Sequence, residues 1–225
     1  MFRHALLAAV LAVALSGCGS STSGVGRATV LVTRDRGAVV LHKAQVPAGS
    51  SAMQALDRVA ALKTRFGGRY VRAVDGLEER GNRAWFYYVN GYLADRSAAD
   101  YRLRAGDLEW WDYRAWRDPL DDAIVVGAFP EPFRHGYGGR RRPTVVISSD
   151  RALGRRLARL VGGRVAAAAP SGANVIELID AARPRFRAEL RRPGAGSPVR
   201  FVLAERFAAR LLARPALARH RYSVP

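Results

Sequence analysis

Residues 83–116, "RAWFYYVNGYLADRSAADYRLRAGDLEWWDYRAW", hold all four tryptophans and five of the eight tyrosines of a 225-residue chain. Two strands are legible in this stretch. Trp85 to Val89 is strand-like by composition, and Asn90-Gly91 is the favoured pair for a tight turn. Gly106-Asp107 offers a second turn before a last strand from Leu108 to Tyr113. Side chains alternate across a strand, so Trp85, Tyr87 and Val89 face one side while Phe86 and Tyr88 face the other. Leu108 and Trp110 likewise oppose Trp111 and Tyr113. A sheet covered by one helix needs only one apolar face, yet both strands carry rings on two. The second set is either an exposed patch or the surface against which the rest of the chain packs.

The residues before this stretch supply the remaining elements of a small fold. "RATVLVTRD" and "GAVVLHKAQVPAG" read as two strands joined by a hairpin at Gly37. "PAGSSAMQALDRVAAL" reads as a helix whose start carries a capping box, Ser51 and Gln54. Met53, Leu56 and Ala60 fall on one face with Val59 beside them, an apolar stripe for laying on a sheet. Gly67-Gly68 ends the segment, and "RYVRAVDG" reads as a third strand. The predicted order is strand, strand, helix, then three strands.

That order is β-grasp-like, and "VPAGSSAMQAL", "WFYYVNGY" and "LRAGDLEWWDY" resemble the transcobalamin-like C-terminal domain of bacterial surface proteins. The resemblance covers roughly residues 27 to 116. Its pattern pairs a Val-Asn-Gly turn after an aromatic strand with a Gly-Asp before the final one. In vitamin B12 carriers the corresponding domain forms one wall around the corrin. The resemblance therefore implies a corrinoid as a possible ligand, although nothing in this chain is like the large helical domain that forms the other wall. Its motifs are mostly structural, so it transfers fold better than function.

From residue 119 the pattern changes. Ala123 to Val126 reads as a short apolar strand, within a Pro/Gly/Arg-rich linker or loop at 119–143. "TVVISSDRALGRRLARLVGG" is a strand-to-helix unit in which Asp150 caps the helix, Leu153, Leu157, Leu160 and Val161 form its apolar face, and Gly162 stops it. Val199 to Leu203 and Glu205 to Ala213 repeat the idea, with Ala173 to Leu190 ambiguous between them. The expected fold class is α+β: a β-grasp-like mixed sheet with one packed helix at 27–118, then a small basic α/β domain at 144–225.

The first residues, "MFRHALLAAVLAVALSGCGSSTSG", place Arg3 before an apolar run from Ala5 to Leu15 that is too short to span a bilayer comfortably. This is an export signal over 1–17. Leu15-Ser16-Gly17-Cys18 resembles the lipobox of bacterial lipoproteins, which implies a diacylglyceryl group on Cys18 and cleavage before it. Cys18 is the only cysteine, so a disulfide is excluded. Residues 18–26 then form a short lipidated tether. The expected location is the extracytoplasmic face of the bacterial cell membrane.

The net charge of +18 is uneven. Residues 1–118 carry 17 basic and 11 acidic side chains, and residues 119–225 carry 20 and 8. Such a field attracts anionic lipid, acidic wall polymers and nucleic acid. An exported, tethered protein is not expected to meet nucleic acid. A solvated surface in an arginine-rich composition accounts for the charge equally well.

No Gly-x-Ser-x-Gly, phosphate loop or zinc pattern is present, and the four histidines lie far apart. The chain is expected to be neither an enzyme nor a metal protein. The adjacent acids Glu78-Glu79 and Asp121-Asp122 are expected to be solvated rather than to hold a hard cation. "FPEPFRHGYGGRRRP" mixes Phe129, Phe133 and Tyr137 with Arg134, His135 and Arg140 to Arg142. Rings and guanidinium groups together suit a flat anionic ligand, and a surface loop with apolar anchors fits as well. Tyr88, Tyr92, Trp111, Tyr113, Phe133, His135, Tyr137, Arg140, Arg141 and Arg142 are the candidate ligand-binding residues. Two functions follow: a tethered carrier of a corrinoid-like ligand accessory to an uptake transporter subunit, or a non-catalytic envelope module that docks on anionic lipid, wall polymer or a protein partner.

Overall fold

A computed structural model of the chain describes residues 26–117, 122–183 and 185–225. The expected export signal, Cys18 and the expected tether up to residue 25 lie outside the described residues. The first sheet is built from β1 (Arg27–Arg34), β2 (Val39–Pro47), then β6 (Arg83–Val89), β7 (Tyr92–Leu93) and β8 (Leu108–Ala115). Its spatial order is β2-β1-β8-β6-β7. The central pair β1 and β8 is parallel, with Val32 opposite Trp111, and every other pair is antiparallel. Helix α1 (Ala52–Asp57) follows β2 and starts on its capping box: the Gln54 amide donates to Ser51 Oγ at 3.2 Å and the Ser51 amide to Gln54 Oε1 at 3.0 Å.

The helix is shorter than its sequence pattern predicts. Leu62 to Lys63 and their neighbours have turned into a strand, β3 (Leu62–Arg65), antiparallel to β4 (Tyr70–Val74), which pairs in turn with β5 (Leu77–Glu78). Asp75 secures the change: its carboxylate accepts the Ala61 amide at 2.9 Å, and its own amide donates to Ala61 O at 2.8 Å. Phe66, Gly67 and Gly68, all at positive φ, carry the chain through the turn. The helix pattern loses here to a hairpin that satisfies the same backbone groups across the chain. Met53, Leu56 and Ala60 are nevertheless buried together as their spacing implies.

Both ring-bearing faces of the sheet are covered. Trp85, Val89, Trp111 and Tyr113 join α1 in the main core. On the other face Leu31, Tyr88 and Trp110 are sealed by Val125 and by Tyr222 near the C-terminus. The Tyr222 hydroxyl donates to Asp112 Oδ2 at 2.9 Å, while the other oxygen of that buried carboxylate accepts from Thr33 Oγ1 at 2.5 Å and the Gly37 amide at 3.0 Å. The second set of rings is thus the surface against which the rest of the chain packs.

Residues 123–126 do not form the expected strand. Ile124 makes a single bridge to Tyr92, and Val126–Ala128 is a 3-10 turn. The Val125 amide donates to Gly91 O and the Val126 amide to Tyr222 O, so successive amides serve different neighbours rather than one strand.

The second sheet comprises β9 (Thr144–Ile147), β10 (Arg164–Val165), β11 (Asn174–Ile179), β12 (Phe186–Leu190) and β13 (Val199–Ala204), in the order β10-β9-β11-β13-β12. All neighbours are parallel except β12 with β13. Helix α2 (Arg151–Val161) is capped by Asp150, whose Oδ1 accepts the Ala152 and Leu153 amides at 2.8 and 2.9 Å, and it stops at Gly162 with φ +62°. Helix α3 (Glu205–Ala213) follows β13. The ambiguous stretch 173–190 resolves into two strands.

The segment between the sheets is packed. Phe129 meets the Phe186 ring at 5.5 Å and Phe133 meets Phe201 at 4.8 Å. One buried cluster runs from α1 through these rings to α2 and α3. The chain is α+β, with a mixed sheet under one helix and a second α/β layer fused to it through an aromatic core.

Candidate functional site

The Asn90-Gly91 turn begins the site. Asn90 and Gly91 have φ of +51° and +86°, the conformation of a tight hairpin turn. Asn90 is fully buried, and its side chain does more than make the turn. Its Nδ2 donates to Asp107 Oδ1 at 2.7 Å and to Gly136 O at 2.8 Å, while its Oδ1 accepts the Leu108 amide at 2.8 Å. The Val-Asn-Gly and Gly-Asp pairs therefore bond each other, and the same amide pins the loop that carries residues 136–142.

That loop forms one lip of a cleft of about 970 Å³, lined by Arg96 from the first unit, Tyr137 to Pro143, and Ala195 to Ser197 from the second. Four of the lining residues are arginines (Arg96, Arg140, Arg141 and Arg142), and none is acidic. Tyrosines hold the walls. Tyr92, Tyr101 and Tyr137 pack together with centroids 5.6 and 5.2 Å apart. The Tyr92 hydroxyl donates to Ser197 O at 2.8 Å, Tyr101 Oη accepts the Gly138 amide at 2.9 Å, and Tyr137 donates to Asp95 Oδ1 at 2.7 Å. Burial raises the Tyr101 hydroxyl to about 12 and pushes Tyr92 and Tyr137 up as well, so all three stay neutral at physiological pH.

The arginines divide by task. Arg141 Nη2 donates to Gly162 O at the C-terminal end of α2, where the helix dipole favours a cation. Arg142 Nε donates to Gly196 O at 2.7 Å and its Nη1 to Gly172 O at 3.3 Å. These two guanidinium groups tie the loop to the second unit. Arg96 lies over the Tyr101 and Tyr137 rings at 5.6 and 5.5 Å, with Asp95 Oδ1 at 3.6 Å. Arg104 packs against Gly139, a position where a Cβ would strike the guanidinium. The Arg140 side chain has no partner among the described residues, and its charge is open to the cleft.

The sequence-based candidates do not form one site. Tyr137, Arg140, Arg141 and Arg142 line the cleft, and Tyr92 supports it from behind. Trp111 lies in a separate apolar groove, stacked on Tyr87 at 4.8 Å. Tyr113 donates its hydroxyl to Glu78 O at 2.8 Å, and Tyr88 is sealed beneath Tyr222. Phe133 is wholly core. His135 is held by Glu131, which accepts its amide at 2.8 Å and faces its Nδ1 at 2.6 Å. Tyr88, Tyr113 and Phe133 are therefore structural here, because a flat ring buries more area in a core than on a surface, and six of the ten candidates are buried rings; His135 is exposed but lies outside the cleft. Sequence reasoning missed Arg96 and the glycines at 138, 139 and 196; the Gly-rich runs "GYGG" and "GAGS" were the available signal.

Away from the cleft lining, several carboxyls are buried. Burial raises the Asp107, Glu131 and, most of all, Glu109 carboxyls. Glu109 is fully buried; its Oε1 accepts Trp111 Nε1 at 2.5 Å and its Oε2 has no hydrogen-bond partner among the described residues. Glu78 and Glu79 pair with Lys63, Arg72 and Arg65, and Asp122 pairs with Arg36. Asp121 lies outside the described residues. Among the described residues no group of three or more His, Cys, Asp or Glu side chains could hold a metal ion, and no helix is long and apolar enough to cross a membrane.

No curated protein matches the chain. Among solved structures, one described as a "putative metal binding protein" from Ruminococcus gnavus is similar at 14% identity and a TM-score of 0.33, over 41% of this chain and 99% of that one. Residues 49–115, from the turn before α1 to the end of β8, match the family described as "Domain of unknown function (DUF4430)".

Proposed function

We propose that this chain is a lipid-anchored, non-catalytic ligand-binding protein of the bacterial envelope, and that it takes an anionic ligand in the cleft between its two sheets. The observation that carries the reading is the lining: the open guanidinium of Arg140 beside three further arginines, glycine-rich lips and no carboxylate among the lining residues. Arginine presents a rigid fork of donors matched to phosphate and carboxylate. A concave site concentrates that field more than a flat basic surface does. Glycines at the lips let backbone amides approach a ligand closely.

The transcobalamin-like resemblance of residues 27–116 makes a corrinoid, offered by or passed to a transporter subunit, one ligand to try. The rings available to it are few, because Tyr88, Tyr92, Tyr113 and Phe133 are committed to the core. The anionic group is therefore the defining feature of the ligand, and the macrocycle is secondary.

Calorimetric titration of the mature chain with inorganic phosphate, a corrinoid and anionic vesicles tests the reading. Binding of a small anion should weaken with added salt. Arg140→Gln should cost about 1.5–3 kcal/mol, the range for a hydrogen bond to a charged group, while the melting temperature stays within a degree or so. Vesicle binding without any small-anion binding would instead make the basic surface a lipid-docking face.

A further inference from the structure

Arg96 lines a second cavity. On its other side lies a groove of about 360 Å³ formed by Trp85, Phe86, Tyr87, Leu93, Ala94 and Trp111, with Tyr70 and Val71 of β4 as the opposite wall. The groove sits where the first sheet is incompletely covered: β7 pairs only with Tyr88 and Val89, so the earlier residues of β6 face it. Its rings are fixed. Tyr87 stacks on Trp111, the Tyr87 hydroxyl donates to Arg96 O, and Trp111 is held from below by Glu109. Trp85 Nε1 donates to Leu77 O at 2.9 Å. The arginine at the far rim, Arg69, is paired with Asp100, leaving the groove itself apolar and without an uncompensated charge of its own.

The two cavities share one residue and have opposite chemistry. Arg96 takes its place in the cleft by lying over Tyr101 and Tyr137, and its backbone carbonyl receives the hydroxyl of a groove ring. We infer that the natural ligand is an amphipathic anion, with a phosphate or carboxylate in the arginine cleft and an alkyl or ring portion that passes Arg96 into the aromatic groove. This inference rests on the anion-binding reading above and adds a second subsite to it. A purely polar anion leaves the groove unfilled, and a purely apolar molecule leaves Arg140 in the cleft without a counter-charge. A ligand with both parts satisfies both at once, and its apolar part gains burial among rings that are already ordered.

The test compares three probes on the mature chain, residues 18–225 with Cys18→Ser: inorganic phosphate, octyl phosphate below its micelle concentration, and octanol. Octyl phosphate should bind at least tenfold more tightly than inorganic phosphate, because burying even two methylene groups is worth that much. It should also change the tryptophan emission intensity, since Trp85 and Trp111 line the groove. Octanol alone should bind more weakly than octyl phosphate. Ala94→Phe, which fills the groove, and Tyr70→Ala, which removes its outer wall, should each shrink the tenfold gain and leave inorganic phosphate binding unchanged. Two substitutions of opposite sense, checked by thermal melting, keep the result readable if one of them fails to fold. Equal affinity for phosphate and octyl phosphate would overturn the second subsite and leave the anion site standing. No binding of either phosphate would overturn both. Octanol matching octyl phosphate, with inorganic phosphate silent, would detach the groove from the cleft and overturn the inference.

Discussion

Replacing Glu109 with glutamine should stabilise this protein, and by an amount that grows with pH. The carboxyl is fully buried on β8, facing Val30 and Val89 across the sheet, with one oxygen on Trp111 Nε1 and the other without a partner among the described residues. Desolvation by burial is the largest influence on it and holds its proton on well above the usual value of 4.5; Trp111 pulls the other way and Asp107 adds repulsion. In the unfolded chain the same group ionises near 4.5. Between those two values the folded state binds more protons than the unfolded state, so stability falls as pH rises. The contribution is fully present below about 4.5 and is lost as pH climbs to the folded-state value. Each pH unit inside that window costs about 1.4 kcal/mol. Glutamine keeps the shape and the acceptor for Trp111 but cannot ionise. The difference in unfolding free energy between Glu109→Gln and the parent should therefore be small at pH 4.5 and widen by up to about 1.4 kcal/mol per unit above it. Urea unfolding of both proteins at four pH values from 4.5 to 8 measures that slope. Parallel stability curves across the range would refute the argument, because they would mean that the carboxyl ionises inside the fold as easily as outside it.

Other consequences can be checked in the same way. Gly91→Val should destabilise the fold by about 1–3 kcal/mol, since residue 91 sits at φ +86° and a Cβ there meets Val125 O at 3.0 Å; an unchanged melting temperature would contradict this. Phe133→Ala should cost about 3–5 kcal/mol in a chemical melt and loosen both sheets together, because its ring joins the inter-sheet segment to Phe201. Two separated transitions in the parent protein would contradict the shared core. Cys18→Ser should abolish fatty-acid labelling and release the protein from the membrane fraction; membrane retention without lipid mass on the mature N-terminus would remove the anchor from the proposal.

Local chemistry was readable residue by residue. Ser51 with Gln54, Asp150 with Gly162, and Asn90 with Gly91 each act through their own backbone neighbourhood, so their roles follow from spacing alone. Period-two alternation assigned the rings of β6 and β8 to the correct faces for the same reason. What spacing could not supply was the partner across the fold. The helix read to Leu62 stops at Asp57 because Leu62 to Arg65 pairs with Tyr70 to Val74, and residues 123–126 lost their strand because their amides found Gly91 and Tyr222 instead. The site shows the same division. The sequence announced the arginines of 140–142, but only the tertiary structure turned two of them toward backbone carbonyls, left Arg140 open, and brought Arg96 from 44 residues earlier to stand between a polar cleft and an apolar groove. Composition sets which groups a chain owns. Long-range packing decides which of them are already satisfied, and only the unsatisfied ones are available to a ligand.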